Sequence, residues 1–101
     1  MFIDIKILTV DEIRTHKPSP DVSFYNVFYE LSSVPPPEWK QIFEKEFPYT
    51  KNLVGKNAWI EGRHIVVQCA ITEIDSLLND MRHEVVKINQ KYRELLQKQS
   101  V

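Results

Sequence analysis

Apolar positions recur along the chain with two different periods, and the change of period predicts the elements. Residues 2–8 alternate, with Ile3, Ile5 and Ile7 on one side and Asp4 and Lys6 on the other, which predicts a strand. Thr9 and Glu12 have the spacing of a capping box, so a short helical turn is expected from Val10 to about Thr15, ended by Pro18 and Pro20. Residues 22–32 predict the clearest strand. Val22, Phe24 and Phe28 share one face, and Tyr25, Val27, Tyr29 and Leu31 share the other. Two apolar faces place that strand in the middle of a sheet, covered on each side.

Three consecutive prolines, Pro35 to Pro37, set the next boundary. A residue before proline avoids the α region, so Pro37 is the first position free to start a helix. The helix should run to about Glu46, because Phe47 precedes Pro48, with Trp39, Ile42, Phe43 and Phe47 on its apolar face. A loop containing Gly55 follows. Residues 57–70 predict a hairpin about Gly62-Arg63, a pair that suits a type II′ turn. That register opposes Glu61 to His64, Ile60 to Ile65, Trp59 to Val66 and Ala58 to Val67.

The strongest periodic signal is the last. Thr72 is the expected cap of a helix reaching about Lys98. Ile74, Leu78, Met81, Val85, Ile88, Tyr92 and Leu95 alternate spacings of four and three, widened by Leu77 and Leu96. Such a helix spans roughly 39 Å at ~1.5 Å per residue. An eight-residue strand spans only about 26 Å. A sheet of that length leaves Tyr92, Leu95 and Leu96 near or beyond its edge. The whole chain is expected to be one α+β domain over residues 1–101: a small four-stranded, mostly antiparallel sheet, two main helices on one face, and a long C-terminal amphipathic helix.

Composition narrows the function classes. With 101 residues, 43% hydrophobic and 27% charged, the chain is globular rather than disordered. Thirteen Lys and Arg against fourteen Asp and Glu give a net charge of −1, which makes a nucleic-acid partner unlikely, since phosphate contacts need a basic excess. One cysteine excludes an internal disulfide, and two glycines leave no Gly-rich phosphate loop. The first residues lack the pattern of a signal peptide, and no apolar run is long enough to cross a bilayer. A cytoplasmic protein, complete as a fold, with no membrane partner and no cofactor, is the expectation.

Candidate chemistry is sparse. Glu61 and His64 should face each other across the hairpin, as an acid–base pair or ligand site, or as an ordinary cross-strand charge pair. Cys69 falls on the face opposite His64, with Ile65 and Val67, and is expected to be a small buried hydrophobe. His83 has Asn79 and Lys87 at the neighbouring helical turns, so no metal ligand set forms around it, and none with His16. Lys87, Lys91, Arg93 and Lys98 make the end of the last helix basic, as its dipole favours. No catalytic residue is assigned. The leading expectation is a non-enzymatic protein–protein interaction module, a homodimer through the C-terminal helix, with Ile88, Tyr92, Leu95 and Leu96 as the interface. The alternative is a small-ligand-binding protein or enzyme with a pocket between sheet and helices.

Overall fold

The computed structural model describes residues 2–47 and 57–99. In chain order these form strand β1 (Ile7–His16), strand β2 (Tyr25–Leu31), helix α1 (Pro37–Glu46), strand β3 (Ala58–Glu61), strand β4 (His64–Cys69), a 3-10 turn (Ile71–Glu73) and helix α2 (Ile74–Gln99). The four strands make one antiparallel sheet in the order β1-β2-β4-β3, the α+β arrangement read from the sequence. The loop containing Gly55 lies outside the described residues.

The core lies between one face of the sheet and the two helices. Val27, Tyr29 and Leu31 of β2 and Ile65, Val67 and Cys69 of β4 meet Trp39 and Phe43 of α1 and Met81, Val85 and Ile88 of α2. Two-residue periodicity selects the strand side chains and helical periodicity the rest. Phe43 stacks between Trp39 and Phe47. Pro37 is the first residue of α1, as the proline argument requires. The hairpin pairs Glu61 with His64, Ile60 with Ile65, Trp59 with Val66 and Ala58 with Val67, the register expected. Gly62 has a φ of +57° and no other described residue has a positive φ, so Arg63 does not. Positive φ at the first turn position alone is the type II′ pattern.

Three local expectations differ. The first strand is Ile7–His16, and residues 2–6 precede it without strand pairing apart from the Lys6 carbonyl, which accepts from the Ser32 N–H at 2.8 Å, with Ile3 in solvent while Ile5 and Ile7 are buried. The expected turn of helix over residues 10–15 is absent. Pairing of Asp11 with Phe28 and of His16 with Asn26 holds both ends of this stretch extended, and residues 12–15 bulge out between them. Thr72 does not cap α2. The Glu73 carboxylate reaches back 3.1 Å to accept from the Ala70 backbone N–H, and Glu73 N–H donates to the Ala70 carbonyl at 3.0 Å, so a 3-10 turn precedes the helix.

Candidate functional site

His64 and Glu61 lie on the face of the sheet that carries no helix. The strand register aligns Glu30, His64 and Glu61 in one row across β2, β4 and β3. Phe28 and Val66, also on this face, are buried, and the Phe28 ring packs edge-on against His64 at 5.7 Å. The imidazole itself is buried, and its Nε2 stands 3.1 Å from Oδ2 of Asp11. Asp11, not Glu61, is therefore the carboxylate that orients His64, and Glu61 points into solvent. Strand alternation along residues 58–67 shows the Glu61–His64 pairing but carries no information about Asp11, which β1 brings in opposite Phe28.

Beside His64 runs an open groove of about 690 Å³, walled by Asp11, Arg14, Glu30, Glu61 and Arg63. Its charges are of both signs. Arg63 is already committed to the backbone, its guanidinium donating to the carbonyls of Leu31 and Ser32. Cys69 lies on the opposite face, buried, and burial, with a smaller contribution from Glu73, pushes its thiol up to about 11. Among the described residues no group of three His, Cys, Asp or Glu side chains is placed to hold a metal ion. His83 is exposed, its Nδ1 2.8 Å from the Asn79 carbonyl one turn earlier.

The bulge of β1 is a second feature. Asp11 organises it: Oδ1 accepts from the Arg14 backbone N–H at 3.3 Å, and Oδ2 pairs with the Arg14 guanidinium at 3.4 Å. Thr15 Oγ1 donates to the Asp11 carbonyl at 2.9 Å and accepts from the Phe28 N–H at 3.1 Å. His16 Nδ1 lies 2.7 Å from the Arg14 carbonyl, and its ring stacks on Phe28. This well-bonded loop holds Ile13 in water with 97% of its surface exposed. Ile13 is not legible in the sequence, because the Thr9–Glu12 spacing suggests a helix there.

The four expected interface residues divide. Ile88 and Tyr92 are 1% and 7% exposed within the single chain, inside its own core. Leu95 and Leu96 pack against that core and keep part of their surface. The expectation that a lone chain would expose Tyr92 is corrected by the N-terminal segment. Phe2 meets the Tyr92 ring edge-on at 4.6 Å, and Ile5 hydrogen-bonds Asn89 in the same half of α2. The sheet alone is too short for the helix, and residues 2–6 supply the missing cover. The basic side chains of the same region are largely paired, Lys91 with Glu46 at 2.8 Å, Arg93 with Asp4, and Lys87 with Glu84 at 3.4 Å.

Between residues 4–7 and the α2 side chains Arg82, Val85, Val86 and Asn89 lies a third feature, a mainly apolar groove of about 280 Å³. No described helix is long and apolar enough to cross a membrane. Comparison with protein-family models, with curated proteins and with solved structures finds no match to this chain.

Proposed function

We propose that the chain is a non-enzymatic protein–protein interaction module that docks through the β1 bulge. The observation that carries this reading is Ile13. A large apolar side chain left fully in water gains nothing from folding, and here it sits on a bulge held by three hydrogen bonds of Asp11 and Thr15 and by the contact of His16 with the Arg14 carbonyl. An apolar anchor on a pre-organised support loses little entropy on binding, which is how a small contact reaches useful affinity. The homodimer expected through the C-terminal helix belongs to the same reading. With Ile88 and Tyr92 inside the protomer, Leu95 and Leu96 are the expected contact residues that keep surface for it.

Ile13→Asp tests the module. The side chain makes no core contact, so the fold and its stability should hold to within about 0.5 kcal/mol. Tagged wild type and variant are used in parallel to retain proteins from solution, and sized in parallel. Loss in the variant of an assembly made by the wild type supports the reading. Identical behaviour of the two proteins overturns docking through the bulge.

A second reading has its own observation, the groove beside the Asp11–His64 pair. A small polar ligand there would make His64 and Glu61 binding residues. A thermal-shift screen of small acids and amines tests it, since a stabilising hit should disappear in His64→Gln and in Glu61→Gln.

A further inference from the structure

The tripeptides Asp4-Ile5-Lys6 and Glu12-Ile13-Arg14 have the same pattern: acid, isoleucine, base. The structure gives them opposite roles. Ile5 is buried, and residues 4–7 form one wall of the apolar groove whose other wall is Arg82, Val85, Val86 and Asn89 of α2. Ile13 stands fully in solvent at the tip of the bulge. One chain thus carries an apolar knob flanked by Glu12 and Arg14, and an apolar hole flanked by Asp4 and Lys6.

We infer that the partner of this bulge is a second copy of the chain, with Ile13 of each copy seated in the groove between residues 4–7 and α2 of the other. This rests on the interaction-module reading above and names its partner. The charges set the direction. Run antiparallel, residues 12, 13 and 14 of one copy face residues 6, 5 and 4 of the other, so Glu12 meets Lys6 and Arg14 meets Asp4. Run parallel, like charges would meet. Antiparallel contact between identical segments is what a two-fold axis produces, and here the axis passes beside Thr9, midway between the knob and the hole. The same contact covers Val86, which is 64% exposed on the rim of the groove.

The contact is made by side chains, because several main-chain groups along this edge are already bonded within the chain. Asn89 takes both the N–H and the carbonyl of Ile5, Arg82 donates to the Leu8 carbonyl, and Thr15 donates to the Asp11 carbonyl. Strand addition along this edge would have to displace these bonds, whereas seating Ile13 leaves them in place. Asp4 and Arg14 already have partners in their own chain, Arg93 and Asp11. Lys6 and Glu12, both exposed, are therefore the charges to reverse.

Sedimentation velocity from about 1 µM to 1 mM tests the inference on wild type, Lys6→Glu, Glu12→Lys and the double variant, each first shown to be folded by circular dichroism. Wild type should dimerise. Each single reversal turns both Lys6–Glu12 contacts of the dimer repulsive and should raise Kd roughly ten-fold or more. The double variant should recover, and so should an equimolar mixture of the two single variants, in which every such contact again joins opposite charges. A wild type that stays monomeric overturns the inference, as does a dimer indifferent to the reversals. A dimer dissolved by Leu95→Glu but not by Lys6→Glu places the contact at the end of α2 and also overturns it. If a monomeric wild type still binds a different protein through Ile13, the inference falls and the interaction-module reading stands.

Discussion

The side-chain amide of Asn89 and the backbone of Ile5 bond to each other in both directions. Asn89 Nδ2 donates to the Ile5 carbonyl at 2.8 Å, and Ile5 N–H donates to Asn89 Oδ1 at 3.1 Å. The same Oδ1 accepts from Trp39 Nε1 at 2.9 Å. A helix side chain thus takes the place of a strand neighbour at Ile5, and it joins the N-terminal segment, α1 and α2 at one buried point.

Removing this amide should be expensive. Asn89→Ala leaves the Ile5 N–H, the Ile5 carbonyl and the Trp39 indole N–H buried without partners, and stability should fall by about 2–4 kcal/mol. Asn89→Leu restores volume and no hydrogen bond, so it should not recover the loss. Urea unfolding gives both values. A cost below about 0.5 kcal/mol for Asn89→Ala would show that water or a rearrangement satisfies those groups.

Tyr92 tests the cover supplied by the N-terminus. Tyr92→Ala removes a buried ring and should cost about 3 kcal/mol. Phe2→Ala removes the ring packed on it. The two should couple by about 0.5–1.5 kcal/mol in a double-mutant cycle, the range for an aromatic pair in edge contact. Strict additivity would mean that Phe2 does not hold the end of α2.

These two contacts mark where the sequence could be read and where it could not. Period-two patterning placed the hairpin register and the inner face of β2, and three prolines placed the start of α1, because each is decided by neighbours in the chain. The stripe of α2 was equally legible, but its surroundings were not. The strands alone are too short for the helix, and the residues that cover its far half, Phe2 and Ile5, come from the other end of the chain. The burial of Asn89 is equally invisible in the sequence, since its partners are Ile5 and Trp39, far away in the chain. At the site, Glu61 opposite His64 follows from the turn, whereas Asp11 beside His64 depends on the pairing of β1 with β2, in a stretch whose capping-box spacing suggests helix.

Alkaline pH should weaken the fold in a defined window. Burial pushes the Cys69 thiol from 9.0 up to about 11, and burial also raises the Tyr29 hydroxyl, which donates to the Ile74 carbonyl at 2.9 Å. Between the unfolded and folded values the unfolded chain has lost a proton that the native chain retains. Stability from the thiol is therefore whole below pH 9.0 and declines as pH rises toward about 11, and Tyr29 adds to the decline once pH passes 10.0, its ordinary value. Urea midpoints from pH 7 to 11 should fall, and fall less steeply in Cys69→Ala. A slope unchanged by Cys69→Ala would remove the thiol from the account. The native thiol should also label slowly with a disulfide reagent at pH 8, and rapidly once unfolded.

Asp11 allows the support of the bulge to be separated from its tip. Its carboxylate touches the Arg14 N–H, the Arg14 guanidinium and His64, and none of these contacts involves the Ile13 side chain. Asp11→Ala should leave the sheet intact, because β2 still pairs with β4 and Thr15 still bonds the Phe28 N–H. The loss of a partly exposed carboxylate with three partners should cost about 1–2 kcal/mol. Its larger effect should be local. Without the bond to Oδ1 the Arg14 amide should exchange with solvent faster, relative to amides of β2, by more than the global loss of stability explains. The bulge then samples several conformations, and seating Ile13 requires them to be frozen out. Association that depends on Ile13 should weaken in Asp11→Ala although Ile13 is unchanged, and Asp11→Asn, which keeps an acceptor for the Arg14 N–H, should recover part of it. Hydrogen exchange and sedimentation on the same samples read both effects. Fast exchange at Arg14 with undiminished association would show that the tip binds without a fixed support, and the argument from pre-organisation would fail.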